Sequence, residues 1–90
     1  MAGRVTGGEI IALYSVKTKK HPEKVVKLAI DYFGDEGLGL SLSREARCCV
    51  VFEGGGGHVS VTASREEGRT EVELETREWD HHVEMFMKWL

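Results

Sequence analysis

Four side chains near the end of the sequence are of types that bind metals or transfer protons: Asp80, His81, His82 and Glu84. Adjacent residues of a helix project about 100° apart, so His81 and His82 do not readily share one ion. Metal-binding pairs stand four residues apart instead. His21 and His58 would join such a site only through the tertiary fold. The pattern is therefore typical of solvated or interface histidines, and we expect no metal site and no cofactor.

The two cysteines, Cys48 and Cys49, are adjacent. Adjacent residues of a strand point to opposite faces, so we expect one thiol in the core and the other on the outer face. The pair cannot build the disulfide framework of a small secreted protein, and it lacks the CxxC spacing of redox or metal sites. The first residues show no signal-peptide pattern, and no apolar run approaches a membrane span. We therefore expect a cytoplasmic protein with reduced thiols and no membrane partner.

A basic cluster precedes and enters the first predicted helix, and it consists of Lys17, Lys19, Lys20 and Lys24. These lysines could hold an anion against the helix N-terminus, although Pro22 removes one backbone donor. The alternative is a solvated basic face, which is the commoner arrangement. The net charge of −3 argues against a sequence-independent nucleic-acid binder. An acidic row of Glu71, Glu73 and Glu75 would also repel phosphate, so nucleic acid is not an expected partner.

Six aromatic residues and one histidine could line an apolar pocket that binds a small apolar ligand: Tyr14, Tyr32, Phe33, Phe52, Trp79, His82 and Phe86. Aromatic residues at this spacing more often form packed core, especially in a chain of 90 residues. An enzyme acting on an apolar molecule in the same place would need an acid or base. Tyr14 and His82 are the candidates, and neither has a catalytic partner nearby in the sequence. We therefore assign no catalytic residue.

The elements that position these residues follow from hydrophobic periodicity. Glu9–Lys17 predicts a strand with apolar residues on both faces, which indicates a cover on its second side. Pro22 suits the first position of a helix, whose apolar spacing continues to Phe33, and Gly34 is a natural stop.

The middle of the chain is predicted to form strands, joined by hairpins at Gly54–Gly57 and around Gly68. The predicted strands are Leu40–Ser43, Arg47–Glu53, His58–Ser64 and Thr70–Arg77. The last two have one polar face, which indicates a sheet exposed to water on one side. The glycine run joins two strands and lacks the pattern of a phosphate-binding loop.

Trp79–Leu90 predicts a helix that is apolar over more than half its circumference. Its main stripe contains Trp79, Val83, Phe86, Met87 and Leu90, and a second stripe contains Met85 and Trp89. Together with the strand Ile10–Val16, this surplus of apolar surface indicates a homodimer.

The predicted order is β-α-β(3–4)-α, a single α+β domain over residues 1–90 whose antiparallel sheet is covered by a C-terminal helix. It resembles the helix-grip architecture of Bet v 1-like and START-like (polyketide-cyclase-like) proteins and of TATA-binding-protein-like domains. The lysine-rich turn into His21-Pro22-Glu23-Lys24-Val25 resembles the start of many such sequences. The segment Thr70–Leu90 resembles their ending. The resemblance implies a small ligand-binding or protein-interaction module, with a cyclase- or hydrolase-like enzyme as the alternative.

Overall fold

The computed structural model describes residues 11–90, and the fold is an open antiparallel sheet with two helices on one face. The chain runs through β1 (Ala12–Thr18), α1 (Pro22–Phe33), β2 (Ser41–Glu45), β3 (Cys49–Gly54), β4 (Gly57–Glu66), β5 (Arg69–Arg77) and α2 (Asp80–Met87). The predicted α+β class and element order are confirmed, with five strands. The predicted start of the first strand, Glu9 and Ile10, lies outside the described residues.

Helix α1 has the predicted boundaries. Pro22 occupies its first turn, and the backbone N–H of Gly34 donates to the carbonyl of Ile30 at its end. Its predicted apolar face is buried, with Val25, Ala29 and Phe33 fully inaccessible to solvent. This face packs on β3 and β4, so the helix covers the half of the sheet that α2 leaves open.

The strands lie in the order β1-β5-β4-β3-β2, and every neighbouring pair is antiparallel. Strands β2 to β5 therefore form a meander, whereas β1 crosses over to pair with the last strand. Both β1 and β2 are edge strands. The predicted strand Leu40–Ser43 is displaced, because Leu40 is buried before β2 begins and the strand continues past a register shift to Glu45.

Two-residue turns connect the hairpins. Gly55 and Gly56 have φ angles of 58° and 81° between β3 and β4. Glu67 and Gly68 have φ angles of 48° and 81° between β4 and β5. Positive φ at both central residues is the type I′ geometry, which matches the right-handed twist of the strands. Both predicted hairpins are thus confirmed.

Helix α2 is shorter than predicted. Its α-helical hydrogen bonding ends at Met87, and the N–H groups of Lys88, Trp89 and Leu90 donate three residues back in a tighter final turn. Val83 and Phe86 are fully buried, as the main apolar stripe predicts. The helix packs on β5, and its aromatic side chains meet those of α1. The sheet and α1 therefore cover it on two sides.

Candidate functional site

The aromatic residues between the sheet and the helices form a continuous chain of ring contacts. Phe33 lies at its centre, with ring centroids 5.5 Å from Phe52 and 5.3 Å from Phe86. All three side chains are fully buried. Tyr32 extends the chain to Phe86 at 5.7 Å and to His82 at 6.5 Å. These distances are those of packed aromatic pairs. The rings therefore fill the space between the sheet and the helices at this position.

His82 lies at the outer end of this chain, half-buried between aromatic rings. Its ring centroid is 5.7 Å from that of Trp79 and 5.3 Å from that of His81. The Trp79 indole N–H in turn donates to the carbonyl of Gly54 at 3.0 Å. Trp79 therefore links α2 to the glycine turn. His82 meets its neighbours through tilted and edge-on ring contacts, which position the ring but do not supply a catalytic partner.

Tyr14 joins β1 to α2 through its hydroxyl group. The hydroxyl donates to Oδ2 of Asp80 at 2.9 Å, and Oε2 of Glu84 lies 3.4 Å away. Burial, followed by the hydrogen bond to the Asp80 carboxylate, raises the pKa of Tyr14 to about 12. The hydroxyl is therefore protonated near neutral pH and is a weaker acid than an ordinary phenol. The sequence reasoning missed this pairing, because the partners are 66 residues apart in the chain.

This interaction predicts an alkaline loss of stability. Because the folded-state pKa of Tyr14 lies above the ordinary tyrosine value of 10.0, the folded state holds the proton more tightly than the unfolded chain. The stabilisation is complete below pH 10.0 and is lost as the pH rises through about 12. We expect a loss of about 1 kcal/mol, allowing for solvent screening of this half-buried group.

Denaturant unfolding of wild type and Tyr14→Phe between pH 9 and 12 measures this loss, and the variant should lack that part of the decline. Equal alkaline declines in the two proteins would contradict the assignment.

The outer face of the sheet is polar along β4 and β5, as predicted, and it carries a shallow depression. The depression has a volume of about 320 Å³ and crosses β1, β5 and β4. Its lining residues are Leu13, Tyr14, Ser15, Ser60, Thr62, Glu73, Leu74 and Glu75. Given that β5 lies between β1 and β4, the alternation of side chains along each strand would have placed most of these lining residues on one face. The sequence pattern does not supply that strand order.

Two glutamates of the acidic row, Glu71 and Glu75, lie close to polar side chains of the neighbouring strands. The hydroxyl of Ser15 donates to Oε2 of Glu71 at 3.3 Å, and Lys17 lies directly across from Glu71 in the β1–β5 register. Nε2 of His58 lies 3.4 Å from Oε2 of Glu75. Across residues 11–90, no group of three histidine, cysteine or acidic side chains is arranged to bind a metal ion. The row therefore forms a solvated face with cross-strand contacts.

The predicted anion-binding lysines divide between two places. Lys17 lies on β1 at a depression that it shares with Arg69 and three glutamates, whereas Lys24 lies in the first turn of α1. Lys19 is exposed and Lys20 is half-buried in the bend between them. Glu71 opposite Lys17 offsets part of the positive charge, so an anion site, if formed, depends on the remaining three lysines.

The positions of the two cysteines differ from the prediction made from the sequence. We expected opposite faces and one buried thiol, but Cys48 is exposed, Cys49 is half-buried, and their Sγ atoms lie 2.6 Å apart. The physical reason is that β3 begins only at Cys49. Cys48 lies in a bend before the strand, so strand alternation does not govern its direction.

No protein-family model matches this chain, and no curated protein matches it in sequence. Among solved structures, it is similar to the Aha1 dimer from Colwellia psychrerythraea, determined in solution. The TM-score is 0.61 at 16% sequence identity, and the match covers 89% of this chain and 87% of the other. At this identity the likeness shows a shared fold. In the part of the chain that the structure describes, no helix combines the length and the apolar character needed to cross a bilayer.

Proposed function

We propose that this chain is a single non-catalytic helix-grip domain over residues 1–90 that works as a protein-interaction module and forms a homodimer through β1. The observation that carries the proposal is the exposed apolar surface of this edge strand. Leu13 is 77% exposed and Ile11, just before the strand, is 47% exposed. Burying a leucine side chain contributes about 1.5–3 kcal/mol, so a two-fold interface that covers Leu13 in both copies gains that contribution twice.

The two edges of the sheet differ in how well they are protected. Strand β2 is five residues long, is interrupted by a register shift between Leu42 and Arg44, and ends in the charged pair Arg44 and Glu45. Short, bulged and charged strands are poor partners for another strand. Strand β1 has seven residues in unbroken register with β5 and a single charge at Lys17. Its outer edge is therefore the better template for strand pairing.

The packing of the aromatic residues favours an interaction module over a ligand-binding domain. A ligand site between sheet and helix needs open volume where Phe33, Phe52 and Phe86 meet, and these side chains are fully buried against one another. The raised pKa of Tyr14 keeps its hydroxyl protonated near neutral pH, so almost no phenolate is present to act as a base, which weakens the enzyme alternative. The apolar groups left for recognition lie on the exterior.

The structural relative adds independent support. The similar structure is that of a dimer, and the match extends over 87% of that chain. A fold of this size has a small core, and association is a common way to bury more apolar surface. The exposed side chains of α2, Met85 at 41% and Trp89 at 49%, provide a second apolar surface for a partner.

Sedimentation equilibrium of the full chain tests the dimer. We expect wild type to sediment with twice the chain mass at micromolar concentrations, and Leu13→Lys to weaken the dimer about 100-fold, from the loss of two buried leucines. Lysine at this position faces Glu75 across the strand pair, so the substitution is compatible with the sheet. Circular dichroism checks that the variant is folded.

Leu42→Lys is the matched control, because Leu42 is also an exposed leucine on an edge strand, at 41%. It should leave the dimer intact. A monomeric wild type at high micromolar concentration would remove the proposal. Dissociation by Leu42→Lys with no effect of Leu13→Lys would move the interface to the opposite edge.

A further inference from the structure

The adjacent cysteines form a surface dithiol. Their Sγ atoms lie 2.6 Å apart, on an exposed Cys48 and a half-buried Cys49. The two thiols therefore point toward each other, which is the orientation that a disulfide bond requires.

The backbone carbonyl groups of both cysteines accept hydrogen bonds. The N–H of Ala63 donates to the carbonyl of Cys48 at 2.8 Å, and the N–H of Ala46 donates to the carbonyl of Cys49 at 2.8 Å. Cys49 is also in register with Thr62 on the central strand β4. These bonds hold the two residues against the sheet, so the approach of the sulfur atoms costs little additional ordering.

The surroundings of Cys48 carry positive charge. A surface depression of about 590 Å³ contains Cys48, with Arg47, Arg65 and His21 also on its wall. The acidic residue on the same wall is Glu23, whose Oε2 lies 3.8 Å from the Arg47 guanidinium. Two guanidinium groups beside one carboxylate leave a positive balance, which attracts an anionic molecule to the exposed sulfur.

We propose that Cys48 and Cys49 are a redox-active vicinal dithiol that reacts with anionic low-molecular-weight disulfides of the glutathione type. The site does not depend on the dimer or on the β1 edge. It requires the contact between the two sulfur atoms, the access to Cys48 and the basic depression around it.

The reaction is two thiol–disulfide exchanges. Cys48, after giving its proton to solvent, attacks one sulfur of oxidised glutathione; the S–S bond breaks, and one glutathione thiolate leaves and takes up a proton. Cys49 then loses its proton and attacks Sγ of Cys48, which releases the second glutathione. The protein loses two protons and two electrons, and one glutathione disulfide becomes two thiols. The hydrogen bond with Cys48, followed by burial, raises the pKa of the Cys49 thiol, which lowers its thiolate fraction and disfavours it as the first nucleophile.

The product is expected to be easily reduced. Neighbouring Cα atoms lie about 3.8 Å apart across a trans peptide, whereas disulfide-linked Cα atoms usually lie about 4.4–6.8 Å apart. The ring that joins adjacent cysteines is therefore strained, and strained, exposed disulfides are the labile ones. The modification should reverse in excess reduced glutathione.

Intact-mass spectrometry of the full chain incubated with oxidised glutathione tests the proposal. Wild type should end two hydrogen masses lighter with no free thiol, and reduced glutathione should restore it. Cys49→Ser should stop at a stable adduct with one glutathione, because the resolving thiol is absent. Cys48→Ser should react at least tenfold more slowly, since its remaining thiol is half-buried. Arg47→Ala with Arg65→Ala should slow the wild-type reaction severalfold without slowing the reaction with an uncharged disulfide.

Three results would overturn the proposal: no reaction of the folded wild type, a stable glutathione adduct on wild type like that of Cys49→Ser, or disulfides between chains instead of within one. Phenylarsine oxide gives a second readout that needs no oxidation, since a trivalent arsenical bridges two neighbouring thiols. It should block both wild-type thiols and leave each single-cysteine variant reactive, and equal behaviour of the three proteins would count against the site.

Discussion

Phe33→Ala is expected to lower the free energy of unfolding by about 3–5 kcal/mol, the range found for truncating a buried phenylalanine. Phe33 is fully buried, and its ring contacts those of Tyr32, Phe52 and Phe86. It therefore joins both helices to the sheet, and its removal leaves a cavity bordered by the two helices and the sheet. Denaturant unfolding at a fixed protein concentration gives the value and allows for any contribution from association.

The size of this loss distinguishes a packed core from a ligand pocket. A phenylalanine that lined open volume would lose few contacts on truncation, and a cost near 1 kcal/mol would favour the pocket. Met85→Ala is the control on α2, because Met85 is 41% exposed and its truncation should change stability by less than about 1 kcal/mol. If Phe33→Ala fails to fold, Phe33→Leu should retain the fold with a smaller cavity and an intermediate loss.

Gly57→Ala is expected to destabilise the protein by about 3 kcal/mol through overpacking. A Cβ atom at this position would overlap the backbone carbonyl oxygen of Arg77 and meet the side chain of Glu78 at 2.7 Å. The overlapped atom belongs to the neighbouring strand, so rotating a side chain does not relieve it. The strand would have to move, and with it the link from β5 to α2.

Gly56→Ala is the matched control in the same turn. Its φ angle is 81°, but a Cβ atom there would have no neighbour within 4 Å. The expected cost is about 1 kcal/mol, which is the conformational penalty of a side chain at positive φ. Thermal unfolding compares the two variants. Equal losses of stability in the two variants would mean that glycine is needed at position 57 for the conformation of the turn, and not for the close approach of β4 to Arg77.

Local patterns predicted much of the fold. Proline and glycine at the two ends of α1, with helical spacing between them, gave its boundaries because these signals act within the helix itself. Alternation likewise identified the inward residues of β4 and β5, and Val59, Val61, Val72 and Leu74 are buried as expected. The end of α2 was predicted too late, because apolar residues in a tighter last turn continue the stripe without continuing the α-helix.

The site geometry was less predictable, because it depends on which distant segments meet. Tyr14 and Asp80 come together through the pairing of β1 with β5 and the placement of α2. No local pattern specifies that crossover. The cysteine contact was mispredicted for a different reason: the strand was predicted from Arg47 but begins at Cys49, and this two-residue error changes which way Cys48 points.

The strand order also has a consequence for how the fold assembles during synthesis. Strands β2 to β5 can pair successively through short connections, whereas β1 must wait for β5, with Ala12 opposite Thr76. A contact between such distant segments carries a larger loop-closure entropy and forms late in a typical folding reaction. On the ribosome, the apolar edge strand is translated before β5 and gains its partner only after β5 has emerged. During that interval Leu13 and its neighbours are open to chaperones and to other nascent chains.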